Sequence, residues 1–408
     1  MISVLVPGTK TNLEQQLHHI IVGGTLPPFD PVVIDFIDAV SKAVLLDNAM
    51  RHMPEMAAVA HWMRKGHISE LLAAFKERRG DRLWLARGIA VHFAPSNVDS
   101  IFLYSWFLSM LVGNANIVRL SQRRGEQVGL LLEKINLIFE QERFNPVKQR
   151  NMVLAYEHED EITEQLSQCC HVRVLWGGDE SVRRLRAIPM NPLGKEVVFA
   201  NRFSLAMIRA GAIACSSNDQ LSQLIERFCN DSFWFDQMAC SSPKLVVWVG
   251  EKSICDSVKQ LFWEKVQKEV VRRSVQYPEI IGVNKLVTAY VSAGLGLADQ
   301  IEPNPTGMAS RIHLVPGAGP QFRRLECGGG LFFETEISDL NSLPPLLTER
   351  DQTLSYFGFC QEDFRKIALF LPTRSVDRIV PIGSALNFSV VWDGSDLLQS
   401  FSREIDLQ

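Results

Sequence analysis

The sequence predicts an α/β protein built on two parallel sheets, each in a domain of its own, followed by a C-terminal extended arm. Three observations predict it. From about residue 84, apolar runs of strand length alternate with stretches of helical length, the rhythm of βαβ units. The alternation resumes after about residue 204 around a second set of apolar runs. A chain of 408 residues, 46% hydrophobic and 22% charged, is also large enough to bury two separate cores.

Taken in order, the first set opens with the apolar run WLARGIAVHFAP and a helix over 100–112, then a strand-like NIVRLS (116–121) and an amphipathic helix over 125–141. NMVLAYE (151–157), a polar helix over 159–168, HVRVLWGG (171–178), a helix from Asp179 to about Ala187 and EVVFAN (196–201) complete it. Strands and helices alternating at these lengths imply a parallel sheet covered on both faces. The second set has SLAMI (204–208) and KLVVWVG (244–250) around a helix over 218–230, then a long helix over about 252–272. The predicted division is therefore residues 1–203 for the first domain, 204–370 for the second and 371–408 for the arm. DRIVPIGSALNFSVVWDG (377–394) reads as extended structure that packs on the first domain or on a partner subunit.

Composition sets bounds on function. A net charge of −4 and a pI near 6.2 offer nothing to attract nucleic acid. The most lipid-like run, IFLYSWFLSMLV (101–112), is shorter than the roughly 20 apolar residues of a bilayer span and reads as a buried helix. The opening MISVLVPGTK shows neither a basic region ahead of a long apolar run nor a small-residue cleavage site, so export is not expected. Eight cysteines show no CxxC pair and no histidine at zinc-ligand spacing, which fits a reduced cytoplasmic chain with no metal and with most thiols buried as small apolar fillers.

Several segments carry chemistry. WFDQMACSSPK (234–244) places Cys240 among small polar residues between a helix end and a strand, where backbone N–H groups can favour a thiolate. A buried structural cysteine is the plainer alternative. HFAPSNVDS (92–100) runs from a strand into a turn, where the Asn97 amide can face a developing oxyanion or simply belong to a helix N-terminus. VLWGGDES (174–181) sets Gly177 and Gly178 between a strand and a helix, a place for a phosphate or a plain turn, and neither GxGxxG nor a P-loop is present. Arg119, ending a strand ahead of Arg123 and Arg124, suits a ribose 2′-phosphate or is solvated charge. Glu334, Glu336, Arg350, Asp351 and Gln352 either line a cleft or cap turns. Phe233, Trp234 and Phe235 precede the cysteine and line an apolar substrate channel or belong to the core.

Together these segments resemble the aldehyde dehydrogenase superfamily, and in particular its acyl-CoA reductase branch of LuxC-like fatty-acid reductases, over roughly residues 80–395. The resemblance rests on Pro95-Ser96-Asn97, on Gly113, Asn114 and Arg119, on the Gly177–Gly178 turn and on the Gln-x-x-Cys form of DQMACSSP. KEVVFANRFSLAMI, FFETEI, LTERDQTLSYFGF and RIVPIGSALNFSVVWDG are similar to that branch in particular. It implies an aldehyde dehydrogenase-like fold, Cys240 as nucleophile and Asn97 at the oxyanion. Arg119, Gly177, Gly178, Ser96 and Glu334 would stand at an NADPH site, with NADH as the alternative donor, and Trp234 and Gln237 along the substrate channel. An acyl-CoA or an acylated partner enzyme of the acyl-protein synthetase kind, and a homo-oligomer, are likewise implied. Where aldehyde-oxidising members carry the glutamate of a Glu-Leu-Gly-Gly-Lys element, this chain reads FANRF (199–203). Lacking that base, which activates water against the thioacyl enzyme, the chain is expected to reduce thioesters rather than oxidise aldehydes. Two other readings stand beside this one: a redox-silent cysteine acyltransferase or thioesterase, and a non-catalytic docking subunit of an acyl-activating complex.

Overall fold

The computed structural model describes residues 2–8, 13–94, 101–122, 124–157, 159–275, 277–302, 309–372 and 374–407. The chain separates into two compact units, residues 1–201 with 388–408 and residues 202–387.

In the first unit the strands are β1 (Ser3–Val6), β2 (Leu83–Ala86), β3 (Ile89–Phe93), β4 (Ala115–Leu120), β5 (Asn151–Ala155), β6 (Val172–Trp176) and β7 (Lys195–Phe199). All but β2 form one sheet in the order β1-β5-β4-β3-β6-β7, antiparallel at β1 and parallel elsewhere. The chain winds outward from β3 through β4 to β5, then returns to lay β6 and β7 on the other side of β3, so its direction reverses between β3 and β6. Strands buried on both faces read as near-continuous apolar runs, and the connecting helices cover both faces. Along β3, Ile89, Val91 and Phe93 enter one core while Ala90 enters the other. The Ile101–Leu111 helix is buried over 102–111, and among the described residues no helix is long and apolar enough to cross a membrane. On the same face lies the helix Pro31–Leu46, started by Asp30, whose carboxylate accepts from the Val32 N–H, and by Pro31 in its first turn.

The run WLARGIAVHFAP is two strands rather than one. Gly88 breaks it at φ 135°, and a Cβ there would stand 2.6 Å from the His171 ring. β3 joins the main sheet, whereas β2 pairs antiparallel with the C-terminal strand Ser402–Ile405.

The second unit holds β8 (Phe203–Arg209), β9 (Leu245–Val249), β10 (Ala298–Glu302), β11 (Ser310–Leu314), β12 (Leu331–Ile337), β13 (Asp351–Phe357) and β14 (Arg378–Pro381). Their order is β10-β11-β12-β9-β8-β13-β14, with the β10 edge antiparallel and the rest parallel. The helices Asn218–Phe233 and Lys252–Arg272 pack one face through Phe228, Phe262 and Trp263 against Trp248 and Phe332. Residues 371–387, assigned from sequence to the arm, belong to this unit. β14 pairs with β13, the buried Asp231 accepts from the Gly383 and Ala385 N–H groups, and Arg378 donates to the Ser384 and Ala385 carbonyls. Only residues 388–408 join the first unit.

Candidate active site

The first unit opens a cavity of about 440 Å³ at the carboxyl ends of its central strands. Phe93 and Ala94 bring the end of β3 to it, Arg119 and Ser121 that of β4, Tyr156 and Glu157 that of β5, and Trp176, Gly177 and Gly178 that of β6. The cavity thus straddles the point where the winding reverses, the place where open α/β sheets hold ligands. Arg119 is held in it: its guanidinium donates to the Tyr156 carbonyl at 2.8 Å and lies over the Tyr156 ring, and burial pulls its pKa down. Trp176 stacks on Phe199 with ring centroids 3.7 Å apart, and its indole N–H donates to Ser105.

Behind that tryptophan runs a buried polar chain. Ser105 and Asn116 bracket the His92 ring at 3.1 and 3.2 Å, and Asn116 reaches Asn151, which also accepts from the Trp106 indole. Burial pushes the pKa of His92 down to about 4, so the ring is neutral at physiological pH.

Two observations bear on whether a dinucleotide could be held here, in a lining that also carries Glu157, Asp160 and Glu180. A Cβ built on Gly178 would meet nothing within 4 Å, so the space before the turn is open, and the end of β4 offers Arg119 and Ser121 with no carboxylate in the cavity lining from that strand. Gly178 is the N-cap of the helix Asp179–Ala187, whose first turn carries Asp179 and Glu180. Those two carboxylates oppose a phosphate placed directly on the helix end, leaving Arg119 as the favourable charge.

Cys240 lies in the second unit, exposed, on the turn between the helix Asn218–Phe233 and β9. The turn begins with two successive left-handed residues, Asp236 at φ 50° and Gln237 at φ 62°. Such strain persists only where surroundings hold it, and here they do. The fully buried Gln237 side chain donates to the Pro243 carbonyl and accepts from the Gly330 N–H, both at 2.9 Å. Gly329 N–H donates to the Asp236 carbonyl, and the Ser204 hydroxyl to the Cys240 carbonyl at 2.6 Å. Lys244, 3% exposed, sets its ammonium 3.3 Å from the Ala239 carbonyl and 3.6 Å from Glu326. Burial raises the Asp236 carboxyl above its ordinary value.

Beneath the turn, Gly328, Gly329 and Gly330 are all left-handed, at φ 68°, 61° and 77°. Side chains there would collide with Met238, Ile281 and Phe233. Only glycines allow the two loops to approach so closely.

The structure therefore gathers Arg119, Gly177 and Gly178 around one cavity, and Cys240, Gln237 and Trp234 on one turn. Ser96 and Asn97 lie outside the described residues. Gln237 is a clamp inside the protein, its amide engaged at both ends. Trp234 is 47% exposed, whereas Phe233 is a core residue packed near Phe332. Glu334 lines a different cavity, in the second unit: it is buried on β12 and accepts from the Trp248 and Trp263 indoles, with Arg311 and His313 beside its other oxygen. Of the eight cysteines, Cys170, Cys229 and Cys255 are buried, fewer than the composition suggested. Ser204, Lys244 and the three glycines went unmarked in the sequence; the run Gly328–Gly330 was a readable turn signal, whereas nothing local singles out Ser204.

The sequence matches the model of the acyl-CoA reductase (LuxC) family over residues 37–291. The chain belongs to the acyl-CoA reductase (LuxC) family. The match takes in Arg119, Gly177, Gly178 and Cys240 and ends ahead of Glu334. A search of the curated proteins finds no match.

Among solved structures, the chain is similar to aldehyde dehydrogenase 21 from Physcomitrella patens in complex with succinate, with a TM-score of 0.68 and 9% identity, covering 96% of this chain and 89% of that one. It is also similar to the substrate-bound AldH of Staphylococcus aureus (TM-score 0.65, 11% identity, 97% and 93% covered). A third is 1-pyrroline-5-carboxylate dehydrogenase from Thermus with bound NAD (TM-score 0.63, 12% identity, 96% and 83% covered). The fold of this acyl-CoA reductase family member is that of the aldehyde dehydrogenases. Family and fold together mark an enzyme of acyl or aldehyde chemistry.

Proposed function

We propose that the protein reduces an acyl thioester to an aldehyde, using Cys240 as nucleophile and NADPH as reductant. The observation that carries this reading is the exposed thiol on a turn tied down at the Asp236, Ala239, Cys240 and Pro243 carbonyls, within a chain of the acyl-CoA reductase family. A nucleophile must be both reachable and fixed, and this turn supplies both properties.

The Cys240 thiolate attacks the thioester carbonyl, the tetrahedral oxyanion collapses, and the carrier thiol leaves with its sulfur, so the acyl group passes to Cys240. The Cys240 backbone N–H and the Asn97 amide are assigned to that oxyanion on the resemblance, Asn97 being outside the described residues. A nicotinamide cofactor, when bound, would supply hydride to the carbonyl carbon of the Cys240 thioester. The thiohemiacetal oxyanion on Cys240 then re-forms C=O and expels the thiolate, giving aldehyde and regenerating the enzyme. Arg119 and the Gly177–Gly178 turn are assigned to the cofactor, with Arg119 favouring a 2′-phosphate. The segment FANRF places no carboxylate where aldehyde-oxidising relatives have their base. Arg202 within it is engaged by Asp377 and by the Asp351 carbonyl. Exposed Trp234 and Met238 flank the turn and favour an apolar acyl chain.

The test follows NADPH absorbance while the purified protein meets acyl-CoA thioesters of increasing chain length, with Cys240→Ala in parallel. Oxidation that depends on thioester and vanishes in the variant is expected. Turnover undiminished in Cys240→Ala, or none with any thioester and either nucleotide, would overturn the proposal.

A further inference from the structure

Lys244 stands out as a buried charge that the reaction described above leaves without a task. Its side chain is almost wholly enclosed, on the residue that leads the Cys240 turn into β9. Its main chain is wedged in the sheet: the Lys244 N–H donates to the Ser204 carbonyl, and the Lys244 carbonyl accepts from Phe333 N–H. The ammonium is thereby delivered, on a rigid element, to the Ala239 carbonyl, which also accepts from Ser242 N–H at 3.1 Å.

That carbonyl belongs to the same peptide unit as the Cys240 N–H. The unit is trans, so its C=O and N–H point in opposite directions. A cation on the oxygen draws electron density through the conjugated amide, making the N–H a stronger donor, as in any polarised hydrogen-bond chain. The counter-ion of Lys244, Glu326, is 3.6 Å away and a quarter exposed, a looser pairing than a charge-assisted hydrogen bond of 2.7–2.9 Å. In a dry environment such a charge acts strongly on nearby anions.

Resting on the assignment of Cys240 as nucleophile, we propose that Lys244 is the fixed positive charge that stabilises the Cys240 thiolate, and the oxyanion beside it, through the Ala239–Cys240 peptide. It touches neither substrate nor cofactor and is a positioning residue.

Among the described residues, the ionisable groups on the elements packed around the turn include Asp236 within it, Glu226, Arg227, Cys229 and Asp231 on the helix Asn218–Phe233, Arg202 ahead of β8, Glu326 and Cys327 ahead of β12, Glu334 and Glu336 on β12, Tyr277, Lys285 on the helix Glu279–Gly294, and Asp351, which is held by Arg323. Asp236 and Glu326 oppose a thiolate. Lys285 is drawn down to about 8 by burial and adds little charge in the alkaline range.

The test is the pH profile of iodoacetamide alkylation on the full chain, read at each cysteine by peptide mass spectrometry. Cys215 and Cys360, both exposed, serve as internal references. In Lys244→Met the Cys240 midpoint is expected to move up by about one pH unit or more. The Cys215 and Cys360 profiles stay in place, and Lys244→Arg restores the midpoint. In turnover, kcat falls more than KM rises.

A Lys244→Met protein that alkylates more slowly at every pH with an unmoved midpoint would show a merely structural residue and overturn the inference. Should that variant fail to fold, Glu326→Gln decides: loss of the counter-charge lowers the midpoint, and an unmoved midpoint overturns the inference. Activity of Cys240→Ala keeps the two readings apart. If it retains thioester reduction, the nucleophile assignment falls; if it is dead while the Lys244→Met profile is unmoved, only the role of Lys244 falls.

Discussion

The two units are built alike, each a mainly parallel sheet with one antiparallel edge strand, yet their candidate site residues stand at opposite strand ends. In the first unit the cavity stands at the carboxyl ends of β3 to β6. In the second, the Cys240 turn enters β9 at its amino end, beside Ser204 at the start of β8 and Gly330 just ahead of β12. The first site follows from topology, since a winding reversal in an open sheet leaves a crevice whatever the side chains. The second follows from particular side chains that tie a strained turn to its neighbours. A strand-end crevice thus tolerates much sequence change, whereas a clamped turn depends on single residues.

The largest expected effect separates the sites by chemistry. Cys240→Ala should reduce thioester-dependent NADPH oxidation by about 10⁴-fold or more, while NADPH binding, followed by nucleotide fluorescence, stays within about twofold because the cavity of the first unit is untouched. Loss of binding in that variant would break the comparison. Next comes Gln237→Ala, which strips a partner from the Pro243 carbonyl and from the Gly330 N–H. Leaving both unpaired is expected to cost about 2–4 kcal/mol in denaturant unfolding. A loss below about 0.5 kcal/mol would show that the turn needs no clamp.

Arg119→Ala tests the tolerant site and should weaken NADPH about ten- to a hundredfold while affecting NADH far less, measured as KM for each nucleotide. Equal losses would remove the 2′-phosphate from the argument.

The smallest effect divides the units by pH. His92 is held below its unfolded value of about 6.5, so the unfolded chain takes up a proton that the native first unit refuses. Stability is complete above pH 6.5 and declines as pH falls towards about 4, by about 1.4 kcal/mol per pH unit. Glu269, which Arg272 and Arg273 hold at about 2, keeps its contribution to the second unit until pH falls below about 4.5. Acid titration followed by hydrogen exchange should therefore show an early loosening around His92 in the first unit, and His92→Gln should flatten that step.

Much of this was legible in the chain itself. The helices Asp179–Ala187 and Lys252–Arg272 lie where periodicity put them, because the helical spacing of apolar residues is a property of contiguous residues. Gly88 was hidden inside an apolar run, since its effect depends on His171, more than eighty residues away. Glu334 read as lining a cleft or capping a turn, and only the packing of Trp248 and Trp263 against it shows a carboxylate serving its own network.

By itself the sequence determined the α/β class, the parallel strands with their helices, and Cys240 and Arg119 as the residues to watch, because these rest on local periodicity and on residue chemistry at strand ends. The tertiary structure alone decided that β2 leaves its neighbour to pair with the C-terminal strand, that Gln237 clamps a turn rather than lining a channel, and that Lys244 meets the Ala239–Cys240 peptide. Those outcomes are contacts between residues distant along the chain. Their energies come from excluding water around paired polar groups, which no window of sequence contains.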